Sequence, residues 1–367
     1  MSNSTPAGFP DPEGLPESFQ VYDVEETDDG VRYYGELGDA REAVEHRLAA
    51  QFRDRGYRIR LGEELGEHVL VARERETSVD GVPWRNVGLF LATVVTTLFA
   101  GSQWYGYALD SPLAVLSAWP FAVAVLSVLA VHEFGHYVTS RYHEVEASLP
   151  YFVPLPNALG TLGAVIRMRD HIPDRRALFD IGVAGPLAGL VATVVVTAIG
   201  VSLPPIDVSS AGGLAFATRY ELGYPPLIQA VAAVLGEPLR YGSGRMVNPV
   251  LIGGWVGAVV TFLNLMPVGQ LDGAHVARAL IGERVEGLRY VLPVALFGLA
   301  GYLLAFDGGR AAGIWIMWGL LALVLGHAGT ATPLDDSPVD RRRKAIGAVT
   351  LVLGVLCFTP VPIALTM

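Results

Sequence analysis

Cysteine and lysine are almost absent from this chain, which contains Cys357 and Lys344 as the single examples of each. One cysteine can form neither an intrachain disulfide nor a cysteine metal cluster, so a metal site has to use histidine and carboxylate ligands. Lysine is replaced by arginine among the 26 basic residues, and the net charge is -10. An acidic surface of this kind is typical of proteins from a salt-rich cytoplasm, and we expect a salt-adapted prokaryotic source.

The first residues are rich in proline, glycine and acids and do not show the basic and then apolar layout of a secretory signal. We therefore expect the N-terminus to stay in the cytoplasm. No internal repeat is evident, which argues against a transporter built from inverted repeats. No segment between the apolar runs has the length and pattern of a PDZ module, and no nucleic-acid partner is expected.

Long apolar runs are the main feature that is present. Hydrophobic residues make up 51% of the 367 residues, and the mean hydropathy is positive, which a soluble domain of this length rarely shows. From Trp84 onward the runs approach the ~20 residues that a bilayer-spanning helix needs. We therefore expect residues 84–367 to form an all-α polytopic membrane protein with about seven transmembrane helices. The predicted spans cover residues 87–106, 112–142, 177–202, 247–266, 288–305, 311–327 and 344–365.

The segment before Trp84 has a different character. Residues 1–80 contain 19 acidic and 9 basic residues, whereas the rest of the chain contains 17 of each. Residues 1–18 are expected to be disordered, and residues 19–83 to form a small acidic α+β cytoplasmic domain of ββαββ order. Asp29-Gly30 between two strand-like runs is the hairpin signal in this domain. A unit of this size fits a docking or regulatory role better than an active site.

The positions of the arginines predict how the spans are oriented. Most arginines lie in alternate connections between spans, and the positive-inside rule puts these connections and the N-terminus in the cytoplasm. Residues 203–246 are then external, with an interfacial helix at 225–235, and the expected location is the cell membrane. The arginine-rich connections contain Arg85, Arg141, Arg167, Arg169, Arg175, Arg176, Arg278, Arg284, Arg289 and the run 341–344.

His132, Glu133 and His136 form an HExxH motif near the end of the second predicted span. On a helix the two histidines lie one turn apart on one face, so both can bind one Zn²⁺ while Glu133 reaches the water that the metal activates. Ionisable side chains within an apolar span are costly and usually functional. Histidines that merely hydrogen-bond between helices are the alternative, but this does not explain the acid between them.

A catalytic zinc needs a third protein ligand and an open coordination position. Asp272 is the best candidate, because it ends the fourth predicted span on the same side of the membrane as the motif. Taken by itself, a helix cap before Ala274 is the commoner role for such an aspartate. His275 could compete for the metal, but a role behind the ligands or at the surface is favoured. Three further histidines have no partner at ligand spacing and are interpreted as loop or interface residues, namely His143, His171 and His327.

The sequence HEFGH at 132–136 and the sequence NLMPVGQLDG at 264–273 together resemble the paired signature of the site-2 proteases, a family of intramembrane zinc metalloproteases. Other segments are similar to the ethylene-dependent gravitropism-deficient and yellow-green branch of that family and its prokaryotic relatives. The resemblance covers about residues 86–290, and Ala274 departs from it where relatives commonly have a second glycine. The similar segments are LPYFVP at 149–154, GTLGAV at 160–165, Asp180, AGP at 184–186 and Asn248-Pro249.

The resemblance implies a function as well as a site. It implies one Zn²⁺ per chain, held by His132, His136 and Asp272, with Glu133 as the general base. Asn264 would help to hold the substrate or the oxyanion, and an interhelical hydrogen bond is its alternative role. The implied reaction is hydrolysis of peptide bonds within or next to a transmembrane helix of a membrane protein substrate in the lipid bilayer, as in regulated intramembrane proteolysis.

Two structural roles are predicted around the motif. Residues 151–168 combine prolines and glycines with apolar residues, so we expect a re-entrant hairpin that pairs with an unwound substrate as an added strand. A simple packing loop is the alternative. Asp180, Gly185 and Pro186 are expected to serve helix packing or kinking.

Other classes of protein stay open. A transporter or channel could use the same His, Glu and Asp side chains to relay ions, and a catalytically silent scaffold could keep zinc for structure. Glu133 argues against the scaffold, because a structural site fills its fourth position with a protein ligand. The element Leu271-Asp272-Gly273 argues against the prenyl-processing zinc enzymes, which usually have a glutamate as third ligand. The natural substrate, the oligomeric state, and iron or cobalt in place of zinc are left open.

Overall fold

The chain begins with a four-stranded sheet and continues as a helical region. In this computed structural model the described residues are 9–27, 30–64, 66–75, 81–107, 112–168, 171–207, 220–242, 244–327 and 329–365. The predicted hairpin turn at Asp29 lies outside them. The elements of the N-terminal sheet are β1 (Phe19–Thr27), β2 (Gly30–Leu37), α1 (Arg41–Arg53), β3 (Tyr57–Glu64) and β4 (Glu67–Glu74).

The N-terminal sheet has the strand order β1-β2-β4-β3 with antiparallel neighbours. Apolar side chains alternate along its strands and are buried against α1, so the sheet has one apolar face. The element order agrees with the predicted ββαββ order. Residues 9–18 differ from the disorder expected for 1–18, because the Phe9 ring packs 4.1 Å from the Tyr57 ring and Leu15 joins the same core. Residues 1–8 lie outside the described part of the chain.

The helical region starts at Trp84, where the apolar runs begin. Within the described residues, four stretches are long and apolar enough to cross a membrane, namely Trp84–Tyr105, Leu113–Tyr142, Arg175–Ser202 and Asp272–Phe306. Their outward side chains are largely apolar, as expected for a surface that faces lipid. The helices are α2 (Trp84–Tyr105), α3 (Trp119–Tyr142), α4 (Arg175–Ser202), α5 (Pro226–Leu235), α6 (Val250–Asn264), α7 (Asp272–Ile281), α8 (Leu288–Phe306), α9 (Ala312–His327) and α10 (Arg341–Leu356).

Short antiparallel strand pairs connect the helices. The pairs are β5 (Tyr151–Pro154) with β6 (Thr161–Val165), β7 (Ile206–Asp207) with β9 (Arg245–Met246), and β8 (Tyr220–Leu222) with β10 (Ile363–Leu365). The last pair corrects the predicted span at 344–365, since the helix ends at Leu356 and the chain then turns into a strand. Pro360 and Pro362 explain this, because proline lacks the N–H that a helix needs.

Glycines allow α3, α4 and α6 to pack closely. A Cβ at Gly254 would lie 2.2 Å from Oγ1 of Thr197, and a Cβ at Gly257 would lie 2.1 Å from Oγ1 of Thr193. Small residues at such contacts are typical of helices that associate in a membrane. The close approach carries the C-terminal end of α6 towards the motif on α3.

The β5–β6 hairpin lies along α2. Nδ2 of Asn86 donates to the carbonyl of Pro150 just before β5 (3.0 Å), and Nε1 of Trp104 donates to the carbonyl of Ala158 in the hairpin turn (2.7 Å). Asn86 and Trp104 lie at opposite ends of α2, about 27 Å apart at 1.5 Å per residue. The hairpin therefore follows α2 over most of the length of this helix.

Two connections hold the N-terminal sheet and the loop before α10 on the helical region. Arg53 at the end of α1 donates to the carbonyl of His171 (2.7 Å) and to that of His143 after α3 (3.2 Å). Asp336 accepts two hydrogen bonds from Arg175 at the start of α4 (2.7 and 2.8 Å). The Arg175 guanidinium holds the pKa of the Asp336 carboxyl below its usual range. His171 and His143 thus lie in a contact between elements, in line with the predicted interface role.

Candidate metal centre

The two histidines of the HExxH motif lie side by side on the buried face of α3. His132 and His136 are one turn apart, and their Nε2 atoms are 3.3 Å from each other. The helix forms here because the segment is apolar and continuous, and it ends at Tyr142, beyond the motif. The predicted shared face is therefore present.

Asp272 meets the two histidines from α7. Its Oδ2 lies 3.2 Å from Nε2 of His132, and its Oδ1 lies 3.1 Å from Nε2 of His136. Asp272 is the first residue of α7 and Leu271 is the N-cap, so the carboxylate faces the histidines instead of serving as the cap. The structure thus brings together the three predicted ligands, His132, His136 and Asp272, which form one donor group. Their donor atoms all lie within 4.8 Å of one another.

The donor group fits a zinc ion. Two donors bound to one tetrahedral zinc at 2.0–2.1 Å lie about 3.4 Å apart. The two Nε2 atoms lie 3.3 Å apart, close to this value, and each lies 3.1–3.2 Å from one of the two carboxylate oxygens of Asp272. In addition, Nδ1 of His136 lies 2.8 Å from the carbonyl of Ile181, which orients the ring and directs Nε2 to the site. Two imidazoles and one carboxylate leave a fourth position open, as in catalytic zinc sites.

Two glycines of α4 make room for the histidines. A Cβ at Gly185 would lie 2.0 Å from Nε2 of His136, and a Cβ at Gly189 would lie 2.9 Å from Nδ1 of His132. The sequence predicted a packing role for Gly185 but did not show that this glycine packs against His136. It did not single out Gly189. The four-residue spacing of the two glycines was the available signal, because it puts both on one helix face.

Glu133 is buried beside the donor group. The backbone N–H of Ile166, the residue that follows β6, lies close to its carboxylate. The end of the β5–β6 hairpin therefore reaches the motif. Ile166 was not predicted as a site residue. The only indication in the sequence was that it lies in the hairpin predicted at residues 151–168.

Asn264 lies at the same site. It is the last residue of α6, and its Nδ2 is 3.2 Å from Nε2 of His132. All five residues predicted from the sequence are therefore together in space. A side-chain amide here can donate a hydrogen bond to an oxygen bound next to His132, and it can equally link α6 to α3.

The other histidines lie outside the donor group. His275 is buried on α7, which excludes a surface role, and within the described part of the chain its Nε2 has no hydrogen-bond partner. His143 contacts Oδ2 of Asp180 (3.0 Å), which also accepts from Arg343 of α10 (2.6 Å). Asp180 thus links α4 to α10 and to the end of α3, in keeping with its predicted packing role. His327 is exposed and contacts the carbonyl of Leu323 (2.6 Å).

The fold and the site define a helical membrane protein with a metallopeptidase motif completed by a distant aspartate. The chain matches peptidase family M50 over residues 120–305, half of its length, and it belongs to this family. The matched region contains every residue of the donor group as well as Glu133 and Asn264.

Curated plant proteins are similar to the chain. It is 32% identical over 253 residues to "Probable zinc metalloprotease EGY1, chloroplastic" of Arabidopsis thaliana, covering 67% of this chain and 43% of that protein. It is 27% identical over 372 residues to EGY2 of the same organism, covering 95% and 64%. It is 34% identical over 253 residues to EGY3 of Oryza sativa subsp. indica, covering 65% and 41%. The chain thus matches less than two thirds of the length of each of these relatives. The predicted resemblance to this branch is confirmed.

Proposed function

We propose that this chain is an intramembrane zinc metalloprotease that hydrolyses peptide bonds within or next to transmembrane segments of membrane proteins. One observation carries the proposal, namely that His132, His136 and Asp272 present their donor atoms at zinc spacing. Membership of peptidase family M50 and similarity to proteins named zinc metalloproteases support it.

The proposed roles of the residues follow from their positions. His132, His136 and Asp272 hold the ion, and a bound zinc supplies Lewis acidity towards water and the substrate carbonyl. Glu133 takes the proton from the attacking water and later delivers it to the leaving amine. Asn264 donates its amide N–H to the carbonyl oxygen on which negative charge develops.

Substrate binding is proposed at the β5–β6 hairpin. A transmembrane helix has no free backbone groups, so it must unwind before a peptide bond can be cut. β6 pairs with β5 on one side, and α2 packs against β5, which leaves the other edge of β6 on the side of α3 and Glu133. An unwound substrate segment can add to this edge as a strand. We propose that the hairpin is re-entrant, supported by its course along α2 from Asn86 to Trp104.

The proposed membrane arrangement keeps the seven predicted spans, shortened at the last of them to the extent of α10. Arginine-rich connections support a cytoplasmic N-terminus and a site reached from the cytoplasm. The proposed partners are a membrane protein substrate and the lipid bilayer. The cell membrane of a salt-adapted prokaryote is proposed from the composition, while the word chloroplastic belongs to the names of the plant relatives.

Metal removal tests the function directly. We expect a strong chelator to abolish cleavage of a single-span test substrate by the purified protein in vesicles, and one equivalent of Zn²⁺ to restore it, because the three donor groups lie ready for one ion. Cleavage is measured by gel shift of the labelled substrate, and metal content by mass spectrometry. Undiminished cleavage by protein shown to contain no metal would contradict the proposal. Ion flux without any cleavage would favour the transporter alternative.

The hairpin has a test of its own in Gly160→Val. Gly160 has a φ of +78°, and a Cβ there would lie 2.3 Å from Cα of Thr97, so the hairpin must move away from α2. We expect cleavage of a transmembrane substrate to fall about tenfold or more, as for a displaced substrate-positioning element, while bound zinc stays unchanged. The exposed Gly313→Val on α9, where a Cβ meets no atom within 4 Å, is the control. Equal cleavage by Gly160→Val and wild type would count against the hairpin as the binding element.

A further inference from the structure

The two faces of the N-terminal sheet differ in charge. One face is apolar and covered by α1, whereas four arginines occupy the other face. In the strand register Arg58 lies directly opposite Arg73, and Arg32 and Arg60 both pair with Val71 from its two sides. Like charges opposite each other on a sheet are destabilising. Glu146 offsets part of this repulsion, because Nη1 of Arg58 lies 2.8 Å from both of its carboxylate oxygens.

A cavity of about 830 Å³ lies on the arginine face. Arg41 and Arg167 join the four sheet arginines in its wall, against the two glutamates Glu63 and Glu64. Part of the positive charge is matched, because Arg32 lies 3.2 Å from Glu64. Six arginines nevertheless exceed the acids that line the cavity, and Arg60 and Arg167 are exposed at its surface. Guanidinium groups in such a cluster suit carboxylates, which they bind through paired hydrogen bonds.

The end of the β5–β6 hairpin links the candidate active site to the cavity. The backbone of Ile166 lies close to Glu133, and the next two residues, Arg167 and Met168, line the cavity. Met168 forms an antiparallel bridge with Ala147, so the stem of the hairpin extends beyond β6 to this point. Two residues of extended chain cover about 7 Å. A substrate strand paired with β6 next to Glu133 would therefore leave the site beside the arginines.

An ion pair and hydrogen bonds hold the N-terminal sheet and the hairpin stem together beside the cavity. Nη1 of Arg58 lies 2.8 Å from both carboxylate oxygens of Glu146, which is buried just before the hairpin stem. The backbone N–H of Ser148 donates to the carbonyl of Arg167 (2.9 Å), and Oγ of Ser148 accepts from the N–H of Arg167 (3.0 Å). These contacts hold the sheet and the stem in one place, as a preorganised binding site requires.

We propose that the arginine cavity binds acidic residues of the substrate that follow its cleaved transmembrane segment on the side of the N-terminal sheet. The inference rests on the proposed function and adds a substrate class to it. A peptide is the favoured occupant because the hairpin stem leads an added strand into the cavity, and because the cavity is open and far larger than one anionic group. The small acidic sheet domain then selects substrates by charge.

The test uses three single-span substrates that differ only in the three residues after the span, which are aspartates, asparagines or arginines. Wild-type KM for the aspartate substrate is expected to be about tenfold below that for the asparagine substrate, as for one or two well-placed charge pairs. Arg60→Glu should raise the aspartate KM about tenfold, leave the asparagine KM unchanged and lower the arginine KM. The rate constant kcat should stay constant, because Arg60 does not touch the donor group.

Arg55→Glu is the matched control, since Arg55 is exposed at the end of α1 and outside the cavity. It makes the same charge change in the same domain and should leave all three KM values unchanged. Equal KM values for the aspartate and asparagine substrates in wild type would overturn the proposal. An Arg60→Glu effect that is the same for all tails and appears only in vesicles with phosphatidylglycerol would also overturn it, and would assign the cavity to lipid headgroups.

Binding separates this proposal from the proposed function. The affinity of Glu133→Gln for each labelled substrate is measured in vesicles, where no cleavage is needed. Suppose that wild type cleaves none of the substrates, that Glu133→Gln binds the aspartate substrate about tenfold more tightly than the asparagine substrate, and that Glu133→Gln/Arg60→Glu does not show this difference. The cavity assignment then stands and the protease proposal fails. If cleavage occurs and binding ignores the tail, the protease proposal stands and the cavity assignment fails.

Discussion

Replacing Glu133 by glutamine is expected to lower cleavage of a single-span substrate by about 10²- to 10⁴-fold, the usual effect of removing a general base. Glutamine has nearly the same size, so it fills the buried position next to Ile166 without opening a cavity. Zinc content should stay at one per chain, because Glu133 is not among the donor groups. The measurements are initial cleavage rates and metal analysis of the same preparation.

A matched control exists in Glu144→Gln. Glu144 is exposed just beyond the end of α3, so the same chemical change there should leave both cleavage and zinc content unchanged. Equal cleavage by wild type and Glu133→Gln would end the proposal that this residue is the base and, with it, the proposed mechanism. Lost cleavage together with lost zinc would instead mean that Glu133 has a structural role in the site.

The substitution Gly185→Ala is expected to remove the metal. A Cβ at this position would lie 2.0, 2.3 and 2.5 Å from three atoms of the His136 ring, and real contacts of this kind are not closer than about 3 Å. The ring cannot simply turn aside, because its Nδ1 contacts the carbonyl of Ile181. We expect zinc affinity to fall by about 100-fold or more, since the change displaces a ligand and not only its support. Cleavage should fall with it.

Gly298→Ala provides the comparison for this prediction. Gly298 is an exposed glycine within α8, and a Cβ there meets no atom within 4 Å. Alanine at that position should be neutral or slightly stabilising, because glycine is the poorer helix former. Zinc affinity is measured by competition with a chromophoric chelator, and folding by thermal unfolding. Normal zinc affinity in Gly185→Ala would show that the ring position inferred for His136 is wrong.

Much of the fold was predictable because long apolar helices follow from length and apolar composition. The helices α2, α4, α8 and α9 begin and end within a few residues of the predicted spans. The error at the C-terminus has the same origin. The residues 357–365 are apolar enough to extend a hydropathy-based span, but Pro360 and Pro362 prevent a helix there and Ile363–Leu365 pairs with a strand that is distant in the sequence.

The candidate site was predictable in its local part. Helical periodicity alone puts His132 and His136 on one face, so the motif needed no tertiary information. The contacts made by other elements were beyond such reasoning. The position of Gly189 against His132 and the position of Ile166 beside Glu133 depend on how α4 and the hairpin pack against α3.

The sequence by itself determined the membrane character of the chain, the pair of histidines and the acid between them, because each depends only on residue type and spacing along one helix. It proposed Asp272 as the third ligand from the membrane side on which the fourth predicted span ends, and the family resemblance implied the same residue. Tertiary structure decided that Asp272 lies 3.2 Å from His132 although 140 residues separate them, and that the arginine face of the N-terminal sheet lies beside the hairpin stem. Both are long-range contacts, which arise from the packing of whole elements and therefore produce no periodic pattern in the sequence.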